Sequence, residues 1–201
     1  MQSIKNKIIN RIYGKGRGWC YTPKSFSDLG SPEAIRITLH RLEKKGAIRR
    51  LSRGIYEYPK KHPTIGFLSP NPDKIAEAIS VRDAIRIRPS GAFAANILGL
   101  SNQVPAKIVF LTDGSGRRIK IGPREIIFKR TTPRNMAGAK SSGTLILALK
   151  YIGKEQVSQD HIKHFRESLS NHIKMKLKKD SIYAPGWICP IIDEIVKDTN
   201  A

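Results

Sequence analysis

The chain has 201 residues and carries 37 lysines and arginines against 16 aspartates and glutamates, a formal net charge of +21. Hydrophobic residues make up 39% of it, which is enough to build a core and excludes a wholly disordered chain. A charge this positive favours a polyanionic partner, most simply nucleic acid. The longest apolar runs, such as residues 108–111, fall far short of the roughly 20 residues that span a bilayer, so we expect no membrane partner.

The cysteines and the first residues favour a cytoplasmic protein. Cys20 and Cys189 lie far apart and outside any CxxC or Cys/His cluster, which disfavours a disulfide framework and a structural zinc site. Polar and charged side chains occupy the N-terminus, where a secretory signal needs an apolar stretch. We therefore expect no bound metal and no cofactor.

The first 62 residues contain three helix signals followed by a hairpin signal. They also carry 15 basic and 4 acidic side chains, a formal charge of +11. Ser31 and Pro32 are a typical helix start, and Gly54 supplies a turn between two β-prone runs. The three helical segments and the two β-prone runs are residues 3–15, 22–30, 32–45, 47–51 and 55–58.

This element order predicts a winged helix-turn-helix DNA-binding domain at residues 1–62. Such a domain places its third helix in the major groove and its hairpin against the backbone. Apolar residues spaced along the third helix predict its buried side, which leaves a cationic face outward. The residues predicted to read bases on that face are Arg36, Ile37, His40 and Arg41. The residues predicted to contact the DNA backbone are Lys24, Lys44, Arg49, Arg50 and Arg53.

The pattern of residues 63–201 predicts a second domain of mixed α/β structure that ends in helices. Together with the winged helix, this gives an expected fold class of α+β. The proline-rich stretch 59–72 marks the boundary between the domains. A strand predicted at residues 84–88 would place two arginines on one face, and a hairpin around residues 113–116 adds further cations. The candidate second basic face comprises Arg86, Arg88, Arg117, Arg118 and Lys120. That these cations form no binding face and are only solvated is an equally good interpretation of the strand pattern.

No catalytic signature is visible, so the sequence predicts a protein that is not an enzyme. The Glu-x-Lys at residues 43–45 precedes Asp73, the reverse of the order in a restriction-type nuclease, and Asp73 is better explained as a helix N-cap. Two alternatives to DNA binding stay open, a nucleic-acid-processing enzyme and an RNA-binding module. A metal-binding carboxylate cluster would favour the first, and a preference for single strands would favour the second.

Four segments carry a family resemblance. Residues 51–56, with the sequence Leu-Ser-Arg-Gly-Ile-Tyr, resemble the end of the winged helix in AbiEi-like proteins. Residues 90–105, 110–118 and 130–136 are similar to the helix, hairpin and loop of one uncharacterised bacterial branch of that group. These proteins are transcriptional regulators and antitoxins of type IV toxin–antitoxin systems.

The resemblance implies a function for each domain. The N-terminal domain of residues 1–62 would bind duplex DNA in the protein's own promoter, where an inverted repeat is expected. The C-terminal domain of residues 63–201 would be the antitoxin or regulatory part. Its partner would be a nucleotidyltransferase-like toxin encoded nearby. The overall prediction is a sequence-specific, autoregulating DNA-binding protein with an antitoxin-like role.

Overall fold

The computed structural model describes residues 3–197, and the fold is mixed α/β with a helical C-terminal part, as predicted. The chain divides into two compact units. The first unit comprises the chain up to Ile85 together with Ile119–Ile126. The second comprises Arg86–Arg118 and the chain from Ile127 onward. Among the described helices, none combines the length and the apolar composition needed to cross a membrane.

The first unit opens with helices and a small antiparallel sheet. Its elements are α1 (Ile4–Lys15), β1 (Cys20–Tyr21), a 3-10 helix (Pro23–Phe26), α2 (Pro32–Lys44), β2 (Arg49–Ser52), β3 (Ile55–Glu57), β4 (Lys61–His62), β5 (Gly66–Phe67) and α3 (Pro72–Asp83). The sheet order is β1-β3-β2, and β4 and β5 form a separate hairpin. The helix starts agree with the sequence signals, because the hydroxyl groups of Ser3 and Ser31 accept backbone N–H bonds at the first turns of α1 and α2.

One apolar core joins α1, α2 and the sheet. Ile8 and Ile12 of α1 are buried against Leu39 of α2 and the aromatic rings of Tyr21 and Phe26. The ring of Phe26 meets that of Tyr21 edge-on, with centroids 5.3 Å apart. The core therefore fixes one side of α2 and leaves its opposite side to solvent.

The first compact unit continues past the boundary predicted between residues 62 and 63. The stretch predicted as an extended linker contains the β4–β5 hairpin, and α3 packs against β1, β3 and the 3-10 helix. Ile75 and Ile79 lie one helical turn apart on α3 and are 1% and 0% exposed. Asn71, not Asp73, is the N-cap of α3, because the Asn71 side chain accepts the Asp73 N–H at 2.8 Å.

The later elements form a second sheet and a helical assembly. They are β6 (Ile87–Pro89), α4 (Gly91–Ile97), β7 (Ile108–Thr112), β8 (Arg117–Ile121), β9 (Arg124–Arg130), α5 (Pro133–Met136), α6 (Lys140–Ile152), α7 (Gln159–Ser168), α8 (Asn171–Asp180) and α9 (Cys189–Val196). The strand order is β6-β7-β9-β8. The core of the second unit centres on α6, which packs on α4 and α8.

The strand predicted at residues 84–88 begins later, at Ile87. Ala84 ends α3 in the left-handed conformation, with φ 54° and ψ 42°, and so cannot be part of an extended segment. Because β6 is displaced along the chain, the side chains of Arg86 and Arg88 lie in surroundings that the sequence pattern did not predict.

Candidate nucleic-acid interface

Helix α2 presents two chemically different sides. Ile35, Leu39 and Leu42 are 2%, 0% and 5% exposed, so the side predicted to be buried is confirmed. The opposite side is exposed along the whole helix and consists of Glu33, Arg36, Ile37, His40, Arg41 and Lys44. The 3.6-residue period of the helix separates the two sides.

The exposed face of α2 carries cations that are not engaged within the protein. Across residues 3–197, no side-chain hydrogen bond or ion pair involves Arg36, Arg41 or Lys44. The one polar contact on this face is weak, because His40 Nδ1 lies 3.8 Å from a carboxylate oxygen of Glu43. Ile37 is 44% exposed between these charges. Guanidinium groups suit guanine edges or phosphates, and an exposed aliphatic side chain suits a thymine methyl group.

The turn between β2 and β3 extends the cationic surface along the chain. Gly54 has φ +70°, which allows the tight turn after Arg53. Arg53 and Arg50 are both exposed, and neither makes a side-chain hydrogen bond or ion pair within residues 3–197. Arg50 lies opposite Tyr56 in the strand register, and the ladder is irregular between Arg50 and Ser52. The hairpin therefore carries two guanidinium groups without a hydrogen bond or ion pair, Arg50 on β2 and Arg53 in the turn.

Arg49, a predicted backbone contact, has partners inside the first unit. Its guanidinium donates to Glu57 Oε2 from Nε at 3.0 Å and from Nη2 at 2.5 Å, and Nη2 also donates to the Leu68 carbonyl at 2.7 Å. Glu57 is only 2% exposed, so it requires a cation at this place. Arg49 therefore neutralises a buried carboxylate within the first unit, and its contact with the DNA backbone stays a prediction.

Lys24 is also engaged inside the first unit. Its ammonium donates to the carbonyl of Arg82 at 2.9 Å, near the end of α3. This bond ties the 3-10 helix to α3 and uses one of the three Lys24 donors. Lys24 therefore makes a structural contact within the first unit, and its predicted contact with the DNA backbone stays a prediction.

An exposed ion pair fixes α1 to the segment before α2. Both guanidinium Nη atoms of Arg11 donate to Asp28, at 2.6 and 2.7 Å. This hydrogen bonding lowers the pKa of Asp28 to about 2. The pair orients the loop that leads to Ser31 and hence the start of α2.

The predicted second basic face is not one surface. Arg88 is 4% exposed, and its guanidinium donates to four backbone carbonyls, at 2.9 to 3.2 Å. Those acceptors are the carbonyls of Asn135, Ala137, Gly138 and Ala139. Burial and the neighbouring Arg86 lower the pKa of Arg88. Arg88 therefore anchors the loop before α6 and is unavailable to a ligand.

The other members of that predicted face differ among themselves. Arg86 donates to Asp113 Oδ2 at 2.7 Å and to the Met136 carbonyl at 3.0 Å, and this pairing lowers the pKa of Asp113. The Arg117 guanidinium lies 5.5 Å from the centroid of the Phe128 ring, a cation–π contact. Arg118 and Lys120 lie two residues apart on β8, and both side chains are exposed.

A polar network that no sequence pattern predicted completes the Arg88 anchor. Asp180 accepts the Ala139 N–H at 2.8 Å and also the hydroxyl of Ser142. A Cβ at Gly143 would lie 1.7 Å from Arg88 Nη1, so this helix position has room only for glycine. These residues are distant in sequence and share no spacing pattern, so no sequence signal was available to find them.

Metal-binding side chains do not cluster in the part of the chain that the structure describes. Within residues 3–197, no group of three or more His, Cys, Asp or Glu side chains could hold an ion. Cys20 and Cys189 are both free thiols. Burial raises the pKa of the Cys20 thiol to about 12.

Comparisons with known proteins place the chain in a family. No curated protein matches the sequence. Among solved structures, the fold is similar to the crystal structure of the RV2827C protein from Mycobacterium tuberculosis, with 12% sequence identity and a TM-score of 0.44. That similarity covers 96% of this chain and 76% of the other. A family profile matches residues 7–178, and the chain therefore belongs to the family of unknown function DUF6088.

Proposed function

We propose that this protein is a sequence-specific, duplex-DNA-binding transcriptional regulator. The observation that carries the proposal is a set of exposed cations on α2 and the β2–β3 hairpin that make no side-chain hydrogen bond or ion pair within residues 3–197: Arg36, Arg41, Lys44, Arg50 and Arg53. Internal pairing uses other cations of the first unit, such as Arg49 and Arg11. A surface that leaves its cations unpaired suits a polyanion such as the DNA backbone.

We infer that α1, the 3-10 helix, α2 and the β2–β3 hairpin form a winged helix-turn-helix. Their order along the chain supports this, and so does the burial of one side of α2 against α1 and the sheet. In this arrangement α2 is the recognition helix, because such motifs place one helix in the major groove. The β2–β3 turn is then the wing.

The side chains of α2 have separate roles in this proposal. Arg36 and Arg41 pair with guanine edges or phosphates, and Ile37 contacts a thymine methyl group. His40 makes a minor contact, because Glu43 lies beside its ring. Lys44, Arg50 and Arg53 contact phosphates and set the position of the helix without reading sequence.

The test is a set of binding titrations on a duplex from the region upstream of the gene and on a scrambled duplex of equal length. Arg36→Ala weakens binding to the first duplex by about 1–3 kcal/mol and has a smaller effect on the second, because a base contact is lost. Arg53→Ala weakens binding to both duplexes equally. It also lowers the slope of log K against log salt concentration by about one, because one phosphate contact is lost.

Lys163→Ala is the matched control, since it removes one exposed positive charge from α7 in the second unit. If Arg36→Ala and Arg53→Ala bind both duplexes as the parent and the control do, the assigned interface is incorrect. A higher affinity for single-stranded RNA than for either duplex would favour an RNA-binding module.

We further propose that the protein regulates its own promoter and acts as the antitoxin of a nucleotidyltransferase-like toxin. The resemblance of residues 51–56, 90–105, 110–118 and 130–136 to AbiEi-like proteins supports this part. The neighbouring gene product is co-expressed with the full chain, or with an Arg36→Ala/Arg53→Ala double variant. Both rescue growth if the antitoxin activity is independent of DNA binding. Failure of the full chain to rescue contradicts the antitoxin role and leaves DNA binding intact.

A further inference from the structure

The first unit contains a pocket that the proposed DNA interface does not use. Its volume is about 600 Å³, within the range of small-molecule sites. Residues from the end of α1, the loop before β1, the end of β3 and the start of α3 line it. None of the α2 or β2–β3 turn residues proposed to contact DNA is among the lining residues.

The lining has an excess of unengaged positive charge. Lys15 and Lys60 line the pocket and, within residues 3–197, neither ammonium has a hydrogen bond or ion pair. Both carboxylates in the lining already have cations, because Glu57 accepts from Arg49 and Glu77 pairs with Lys74 at 3.0 Å. The pocket therefore favours an anion.

Arg17 is held in place at the pocket by contacts that leave part of its guanidinium available. Nη1 donates to the Pro59 carbonyl at 2.9 Å, and the guanidinium lies 4.7 Å from the centroid of the Tyr58 ring. Those contacts fix its plane before any ligand arrives, which reduces the entropy lost on binding. A planar guanidinium with free donors suits a phosphate or a carboxylate.

Trp19 gives the pocket an aromatic wall. Its indole packs on Tyr21, with ring centroids 4.6 Å apart, and on Phe26 at 5.9 Å, so the core holds the ring in one orientation. Flat ligand rings stack on such fixed aromatic surfaces. The lining thus combines an aromatic wall with three cations at one site.

We propose that this pocket binds a phosphorylated small molecule that carries an aromatic ring, of the nucleoside monophosphate class. Lys15, Arg17 and Lys60 hold the phosphate, and Trp19 contacts the ring. The inference is independent of the proposed DNA function, since the pocket is assigned from its own residues and its test contains no DNA.

The test is a fluorescence titration of the full chain with AMP and GMP as probes, in a Trp187→Phe background. The sequence contains two tryptophans, so this change leaves Trp19 as the sole reporter. We expect saturable quenching by at least one nucleotide, with a Kd below about 1 mM. Inorganic phosphate, which lacks the ring, binds at least about tenfold more weakly.

Variants of the cations separate the site from general charge effects. Lys60→Ala weakens nucleotide binding about tenfold, because one charge-assisted contact is lost. Lys5→Ala is the control, since Lys5 is an exposed lysine of α1 outside the pocket. Circular dichroism verifies that each variant is folded. The proposal is overturned if neither nucleotide saturates, if phosphate binds as tightly as the nucleotides, or if Lys5→Ala and Lys60→Ala have equal effects.

Discussion

Helix α2 and the segment around β6 have similar side chains and opposite surroundings. Arg36 and Ile37 follow one another on α2, as Arg86 and Ile87 do before Arg88 at β6. On α2 the arginine has no partner within residues 3–197, and the isoleucine is 44% exposed. At β6 both arginines donate to protein acceptors, and Ile87 is 9% exposed.

The difference shows why net charge overestimates the surface that is available to a polyanion. An arginine whose donors are used by backbone carbonyls stabilises the fold and contributes little to a binding face. The helix face on α2 is free because the core occupies only its opposite side. Removing single arginines from the two segments therefore gives a direct way to test the comparison.

The largest expected effect is on stability, at Arg88. Arg88→Met leaves the carbonyls of the loop 135–139 buried without their shared donor, and we expect a loss of about 3–5 kcal/mol of unfolding free energy. Arg36→Met, the same substitution on α2, stays within about 0.5 kcal/mol of the parent. Urea unfolding followed by circular dichroism measures both variants. If the two substitutions change the free energy of unfolding equally, the proposed difference between a buried Arg88 and a free Arg36 is wrong.

A second effect on stability contrasts two neighbouring residues of β2. Arg49→Met leaves the buried carboxylate of Glu57 without its cation. We therefore expect the free energy of unfolding to fall by about 2–3 kcal/mol. Arg50→Met, one residue later and exposed, leaves stability nearly unchanged. Thermal and urea unfolding of the two variants test this. A double Arg49→Met/Glu57→Met variant recovers part of the loss, because the unpaired charge is gone.

A smaller effect concerns DNA binding by α2. Arg41→Ala lowers the slope of log K against log salt concentration by about one if the residue contacts a phosphate. Arg88→Lys leaves that slope unchanged when its folding is intact, because residue 88 lies in the interior of the second unit. Fluorescence anisotropy at several salt concentrations gives both slopes. An unchanged slope for Arg41→Ala would place the residue outside the phosphate contacts.

The smallest effect is expected at the Arg11–Asp28 pair, which is exposed and so is screened by solvent. Because the pKa of Asp28 falls from 3.8 to about 2 in the folded state, the stabilising effect is present above pH 4. It is lost as the pH decreases toward 2. Asp28→Asn is slightly less stable than the parent at pH 7, and the difference shrinks as the pH falls below 4. Urea unfolding at pH 7, 4 and 3 measures it.

Elements that depend on local bonds could be predicted from the sequence alone. Ser3 and Ser31 cap α1 and α2 through contacts with residues three positions later, and Gly54 supplies the turn of the β2–β3 hairpin. The apolar spacing along residues 32–44 also determined which side of α2 is buried. Such signals involve residues close in the chain, so a single sequence shows them. The winged-helix and DNA-binding interpretations drawn from them remain predictions.

Which cations are free, and where the first unit ends, depends on contacts between segments that are distant in the chain. Arg88 meets acceptors 47 to 51 residues away, and Arg49 meets Leu68 at a distance of 19 residues. The packing of α3 on β1 and the pocket beside Trp19 likewise bring together residues that share no sequence pattern. Burial and pairing of this kind depend on how distant segments pack, and the spacing of residues along one helix or strand carries no information about that.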